Sequence, residues 1–137
     1  MYKKGRKYGN RKVQIDGYTF DSVKEGNRYI ELSYLLAAGE IKDLELQKQY
    51  ELQPAFRDAN GKMVKPIHYR ADFVYKDVKT GETIIEDVKC KATKTPQYNI
   101  KKKMMAYRGL MIREIMRWTF TRTKVKVLKV RAKSMCM

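Results

Sequence analysis

The fold of this chain is decided by residues 64–90, which read VKPIHYRADFVYKDVKTGETIIEDVKC. Apolar and polar residues alternate from Val64 to Lys76, a pattern that predicts a single strand. Residues 79–82 predict a turn and residues 83–90 the next strand, so the two strands should form an antiparallel hairpin. The alternation places five side chains on one face of the first strand: Ile67, Tyr69, Ala71, Phe73 and Tyr75.

The flanking segments predict helices and further strands. A short hairpin turning at Asp16-Gly17 is expected over residues 13–20, followed by a helix from the N-cap Ser22 to about Ala38. The remaining predicted elements are a strand at residues 46–56, a helix at 97–108 and a final strand at 110–116. A continuation of the second helix through residues 110–116 is the alternative to that final strand. This order predicts an α+β fold, in which helices flank a sheet.

The composition predicts one small domain with a polyanionic partner. The chain has 137 residues, of which 43% are hydrophobic, enough for a single core. Its 31 Lys and Arg against 15 Asp and Glu give a net charge of +16. Nucleic acid is favoured over membrane because no strongly amphipathic basic helix is evident. A ribosomal or nucleoid protein would carry the same charge, so the charge indicates the partner and not the activity.

The domain boundaries and the compartment follow from simple features. The predicted domain spans residues 13–116, between a basic arm at residues 1–12 and a basic extension at 117–137 that either packs on the domain or trails it. No apolar run approaches the roughly 18 residues of a membrane span, and the N-terminal residues do not resemble a signal peptide. The two cysteines are too few for a disulfide framework and predict reduced thiols. We therefore expect a cytoplasmic protein.

Three polar residues of the central hairpin should converge. Asp72 is expected in the middle of the first strand, opposite the aromatic residues, whereas Asp87 and Lys89 share one face of the second strand. Neighbouring strands lie about 5 Å apart. Two close carboxylates repel unless a cation lies between them, and their oxygens suit Mg²⁺ or Mn²⁺. With a lysine to orient water or stabilise a phosphate, this group predicts phosphodiester hydrolysis.

Glu25 is a candidate fourth member of the site. It lies in line with Tyr29, Leu32 and Leu36 on the first predicted helix, a stripe that should face the sheet. Ser22 and Glu25 also have the spacing of a capping box, in which the glutamate would bind the N–H of the cap residue.

Simpler interpretations exist for each of these residues. Asp72 suits a surface position on a half-exposed strand, and Asp87 with Lys89 suits an ordinary ion pair. Glu86 faces away from Asp87 and would join the site only if the register slipped by one residue. His68 lies about 13 Å from Asp72 along the strand, so a rim position or a DNA contact is expected.

Basic residues near the predicted site are candidate phosphate contacts. Two lie in the loop after the second strand, others on the second helix, and one on the first strand. They are Arg70, Lys91, Lys94, Lys101 and Lys102.

The order of a helix glutamate, a strand aspartate and then Asp87-Val88-Lys89 resembles the PD-(D/E)XK nuclease superfamily. Longer strings are similar to a family of small phage-borne proteins of unknown function that is assigned to this superfamily. They are KYGNRKVQIDGYTFDSVKE at residues 7–25, ELQPAF at 51–56, YRADFVY at 69–75 and EDVK at 86–89. The resemblance covers roughly residues 7–115 and implies a restriction-endonuclease-like mixed sheet flanked by helices.

This resemblance implies a Mg²⁺-dependent DNA endonuclease of phage recombination or replication, similar to Holliday junction resolvases. It makes Asp72 and Asp87 metal ligands with the Val88 carbonyl as a third, Lys89 the catalytic lysine, and Glu25 the acid of the helix.

Three features of this interpretation stay open. Cys90 stands where such proteins commonly have glycine after the lysine. Junction resolution would favour a homodimer, because two strands must be cut. A non-catalytic nucleic-acid-binding protein is the alternative function, and a structural subunit without activity is a third.

Overall fold

The structure, a computed structural model, describes residues 11–90 and 93–116. Most of the predicted N-terminal arm, Lys91 and the predicted extension at residues 117–137 lie outside the described residues. The described elements are β1 (Val13–Ile15), β2 (Tyr18–Phe20), α1 (Val23–Ala37), β3 (Ile41–Leu46), β4 (Gln49–Gln53), β5 (Phe56–Arg57), β6 (Met63–Val64), β7 (Ile67–Arg70), β8 (Phe73–Asp77), β9 (Thr83–Val88), α2 (Pro96–Tyr107) and β10 (Ile112–Ile115).

The central element is a mixed four-stranded sheet in the order β10-β9-β8-β3. β8 is antiparallel to both β3 and β9, with Val74 opposite Ile85. The predicted turn at residues 79–82 joins β8 to β9, and Gly81 has the positive φ of 73° that the turn requires. β10 runs parallel to β9 because α2 carries the chain back across the sheet. The predicted α+β class, with a sheet flanked by helices, is confirmed.

Side chains are buried on both faces of this sheet. On the α1 side, Phe73 and Tyr75 of β8 pack with Leu32 of α1. On the α2 side, Val74 of the same strand packs with Met105 of α2. Because consecutive residues of a strand point to opposite faces, one strand supplies both cores. The helices are therefore fixed on either side of β8 and β9.

The predicted single strand over residues 64–76 is wrong, because the chain changes partners at Ala71. The Ala71 amide donates to the Lys48 carbonyl at 2.9 Å, whereas the Asp72 amide donates to the Glu86 carbonyl at 3.1 Å. β7 consequently pairs with β4 and β8 with β9. Tyr69 and Ala71 lie in the α2-side core and not with Phe73, so the five residues do not share one face, and Ile67 is exposed.

Two further predictions need correction. The strand predicted at residues 46–56 is divided, because Gln47 has a φ of 53° and separates the end of β3 from β4. β3 itself was missed, since this edge strand alternates weakly and its pairing with β8 is irregular around Asp43. On α1, Leu36 is exposed and Leu35 packs against the core in its place.

The hairpin at residues 13–20 and the bounds of both helices agree with the sequence. Asp16 and Gly17 adopt the positive φ angles, 51° and 79°, of a tight hairpin turn. Ser22 caps α1, and Gly39 with a φ of 72° follows its end. Neither described helix is long and apolar enough to span a membrane.

Candidate active site

The β8–β9 hairpin brings Asp72 against the backbone of β9. Asp72 lies in the break between β7 and β8, not in the middle of a strand as expected. Its carboxylate accepts a hydrogen bond from the Val88 amide at 2.7 Å. This contact places Asp72 next to the Asp87-Val88-Lys89 segment, so the predicted convergence across the hairpin is present.

Asp87 is buried, and both of its carboxylate oxygens have partners. Its side chain points to the α2 side of the sheet, and only 3% of the residue is exposed. The Tyr69 hydroxyl donates to one oxygen at 2.6 Å, and the Lys89 ammonium lies 3.0 Å from the other. The carboxylate is therefore held in one orientation.

Glu25 faces the same site from the first turn of α1. Together with Val88, Lys89 and Arg11 it lines a cavity of about 180 Å³. Its amide donates to the Ser22 hydroxyl at 3.2 Å, which is half of the predicted capping box. Burial raises the pKa of Glu25, and the negative charges of Asp21 and Asp87 raise it further. Ser22 thus caps the helix, whereas the Glu25 side chain belongs electrostatically to the site.

The three carboxylates disfavour one another's ionisation. Burial raises the pKa of Asp72 to about 8, and the charges of Asp87 and Glu25 act in the same direction. The Val88 amide and Lys89 oppose this effect only in part. A cation among these oxygens would relieve the repulsion.

The donor atoms suit a hard divalent ion. In the part of the chain that the structure describes, no three His, Cys, Asp or Glu side chains form a ready metal-binding group. The two carboxylates of Asp72 and Asp87 are hard oxygen donors, which Mg²⁺ and Mn²⁺ prefer, and Mg²⁺ commonly keeps several waters beside one or two carboxylates. The residues present therefore fit such an ion, with Glu25 nearby as a further acid.

The other residues considered from the sequence lie outside this group. His68 of β7 lies 3.7 Å from Glu51 of β4. Arg70 is exposed at the end of β7, and Lys101 is half-buried on α2. Lys91 lies outside the described residues.

Lys94 and Lys102 meet at a carboxylate that sequence reasoning missed. Glu114 of β10 lies 2.7 Å from each ammonium and accepts a hydrogen bond from Tyr98 at 3.0 Å. These two of the predicted phosphate contacts thus lie together beside the α2 side of the site. The predicted final strand could have revealed Glu114. A helix crossover places this strand parallel to β9, which brings Glu114 into register with Asp87.

Glu114 should make stability depend on acid pH. Lys102 and Lys94 lower the pKa of Glu114 to about 2, from 4.5 in an unperturbed glutamate. Its contribution is therefore complete above about pH 5 and is lost as the pH falls toward 2. We expect Glu114→Gln to lower the free energy of unfolding at pH 7, with a difference from the wild type that shrinks by pH 3 and largely vanishes near pH 2, as measured by urea denaturation. The exposed Glu82→Gln is the control, and a difference that stays constant with pH would contradict the assignment.

Glu86 belongs to a second, separate network on the α1 side of β9, as its predicted orientation requires. It has no exposed surface, and Arg28 binds it through two nitrogens, at 2.8 and 2.5 Å. The Tyr75 hydroxyl also donates to Glu86, and Glu31 binds Arg28 at 2.6 Å. Sequence reasoning missed Arg28, although it follows Glu25 by three residues and so lies on the same side of the helix.

The fold and the site define a small α+β protein with acids and a lysine clustered beside one hairpin of a mixed sheet. Residues 5–130 match the family described as proteins of unknown function, DUF1064, and the chain belongs to that family. The match extends beyond residues 7–115, on which the sequence resemblance rested. Comparisons with curated proteins and with solved structures gave no match.

Proposed function

We propose that the protein is a Mg²⁺-dependent DNA endonuclease of the PD-(D/E)XK type. The observation that carries this proposal is the meeting of Asp72, Asp87 and Lys89 at one hairpin, beside the cavity that Glu25 lines. The arrangement of α1, the antiparallel neighbours β3, β8 and β9, then α2 and a parallel β10 supports it, because the resemblance implies a mixed sheet flanked by helices.

Each residue has a role that its position allows. Asp72, Asp87 and the Val88 carbonyl would hold Mg²⁺ or Mn²⁺. When bound, the ion would supply a more acidic water and neutralise charge on the phosphate. Lys89 would orient the attacking water or donate a hydrogen bond to a phosphate oxygen. Hydrolysis then adds water across one P–O bond, which leaves a phosphate monoester on one strand end and a hydroxyl on the other.

The distribution of charge supports DNA as the substrate. All 15 Asp and Glu residues lie between Asp16 and Glu114, so every charged side chain in the two terminal segments is Lys or Arg. Residues 1–10 contain four Lys or Arg and residues 117–137 contain seven. Such segments would bind phosphates without reading sequence, as the counterions of DNA are released.

Neutralising the C-terminal segment should weaken the salt dependence of binding. We expect a variant with its seven Lys and Arg changed to Gln to lose up to about six from the slope of log affinity against log salt, because each phosphate contact contributes about 0.9. Fluorescence anisotropy with duplex DNA at increasing salt measures this slope. The chain length is unchanged, and Gln at the four uncharged Thr and Ser positions of the same segment is the control that alters it without removing charge. An unaltered slope would place the DNA contacts elsewhere.

A non-catalytic nucleic-acid-binding protein is the second candidate. The direct contact between Lys89 and Asp87 favours it, because an ordinary ion pair without a catalytic role has the same geometry. The net charge of +16 suits both candidates equally.

Cleavage of labelled DNA separates the two functions. A four-way junction and a matching linear duplex are incubated with Mg²⁺, with Mn²⁺ or with EDTA. Cutting that requires a divalent ion supports the nuclease, and a high ratio of junction to duplex cleavage supports a resolvase of phage recombination. Paired symmetric cuts together with a dimer in sedimentation would support a homodimer. Tight binding without cutting under any metal would favour the binding protein.

A further inference from the structure

Lys89 is held from two directions by two different elements. Its ammonium lies 3.0 Å from Asp87 and 4.0 Å from the centre of the Tyr98 ring. Asp87 precedes it on β9, whereas Tyr98 lies in the first turn of α2. Only 16% of the lysine side chain is exposed. The conformation of this side chain therefore depends on α2 as well as on β9, which ends at the residue before it.

The Tyr98 ring is itself fixed. The residue is 6% exposed, and its hydroxyl donates to Glu114 of β10 at 3.0 Å. Its amide donates to the Thr95 hydroxyl that caps α2, which fixes the backbone as well. Glu114 is held in turn by two lysines. The ring thus has a defined position between α2 and β10.

An aromatic ring suits this role because of how it attracts a cation. The ring face draws the ammonium electrostatically but accepts no conventional hydrogen bond. The N–H groups of Lys89 therefore stay available for Asp87 and for a substrate phosphate. A carboxylate in the same place would take these donors and add to the negative charge of the site.

We propose that Tyr98 is a positioning residue whose ring face holds the Lys89 ammonium beside Asp87. The inference rests on the proposed nuclease function for its catalytic consequence, whereas the placement of the lysine stands on the contacts alone. The test therefore needs one readout without DNA and one with it.

The readout without DNA is the NMR spectrum of lysine side chains. We expect the ring current of Tyr98 to shift the ε-methylene protons of Lys89 upfield, with the resonance assigned by its loss in Lys89→Gln. The shift should persist in Tyr98→Phe and disappear in Tyr98→Leu. Tyr98→Met replaces the leucine variant if that variant does not fold. A Lys89 resonance at the ordinary lysine position in the wild type, or one unchanged by Tyr98→Leu, would overturn the proposal.

The readout with DNA is the separation of kcat from KM. We expect Tyr98→Leu to lower kcat about tenfold with KM changed less than about twofold, and Tyr98→Phe to retain most activity. In a Lys89→Ala background the leucine substitution should cost little, because there is no ammonium to position. An equal loss in both backgrounds would show a merely structural role and overturn the proposal. A wild type that cleaves nothing would refute the nuclease, and the NMR result alone would then decide whether Tyr98 holds Lys89.

Discussion

Asp87→Asn is expected to reduce metal-dependent DNA cleavage by at least about 10³-fold in kcat/KM. The substitution removes the negative charge that would attract the cation and that now pairs with Lys89 at 3.0 Å. It preserves the shape of the side chain, and the amide oxygen can still accept the hydrogen bond from Tyr69. Removing this charge also relieves the repulsion that Asp87 exerts on Asp72 and Glu25, which offsets the lost ion pair, and circular dichroism checks that the variant is folded.

Single-turnover cleavage of labelled DNA over a range of Mg²⁺ concentrations measures this effect. Glu82→Gln is the matched control, because it removes an exposed acid just before the same strand. DNA binding without metal should be kept or slightly tightened in Asp87→Asn, since one negative charge is lost. A variant that cuts at the wild-type rate with the same Mg²⁺ requirement would remove Asp87 from the site and favour the binding protein.

The parts of the fold that the sequence predicted are those specified by local signals. The turn at Asp16-Gly17, the cap at Ser22 and the glycine after α1 each act within a few residues, and all three agree with the structure. The hairpin of β8 and β9 was likewise predictable, because its turn and its alternation are contiguous. Local chemistry decides such elements before any tertiary contact is made.

The errors arise where long-range pairing overrides a local pattern. Residues 64–76 alternate without interruption, yet the amide of Ala71 binds β4 and that of Asp72 binds β9. No property of the segment itself reveals that its partner changes there. β3 was missed for a related reason, since an edge strand pairs on one side only and tolerates polar residues on both faces.

In the candidate site, too, local sequence features were predictable and long-range contacts were not. Asp87 and Lys89 are spaced to share one face of a strand, and the hairpin places the strand of Asp72 beside it. These two features were enough to predict that the three residues converge. The supporting residues were not predictable, because Arg28 and Glu86 are 58 positions apart and Tyr98 reaches Lys89 only once α2 has crossed the sheet. The charged groups were visible in the sequence, but their pairing is set by packing.

The second large effect is expected on stability, from Arg28→Met. Glu86 has no exposed surface, and Arg28 is the cation that binds both of its oxygens. Removing one partner of a buried ion pair leaves an uncompensated charge, which costs about 3–5 kcal/mol. Most of the stability of a domain this small can be lost in this way, since the whole free energy of unfolding is about 5–15 kcal/mol.

The double variant Arg28→Met, Glu86→Gln should recover most of this loss, because it removes the buried charge and the amide oxygen can still accept the hydrogen bond of the Tyr75 hydroxyl. Urea denaturation gives the midpoint and slope for wild type, single and double variants. Arg70→Met is the control, since Arg70 is exposed on β7 and its loss should change stability by less than about 0.5 kcal/mol. An Arg28→Met protein as stable as Arg70→Met would show that Glu86 does not need its cation. A double variant as unstable as the single one would assign the loss to packing around Tyr75 and not to the buried charge.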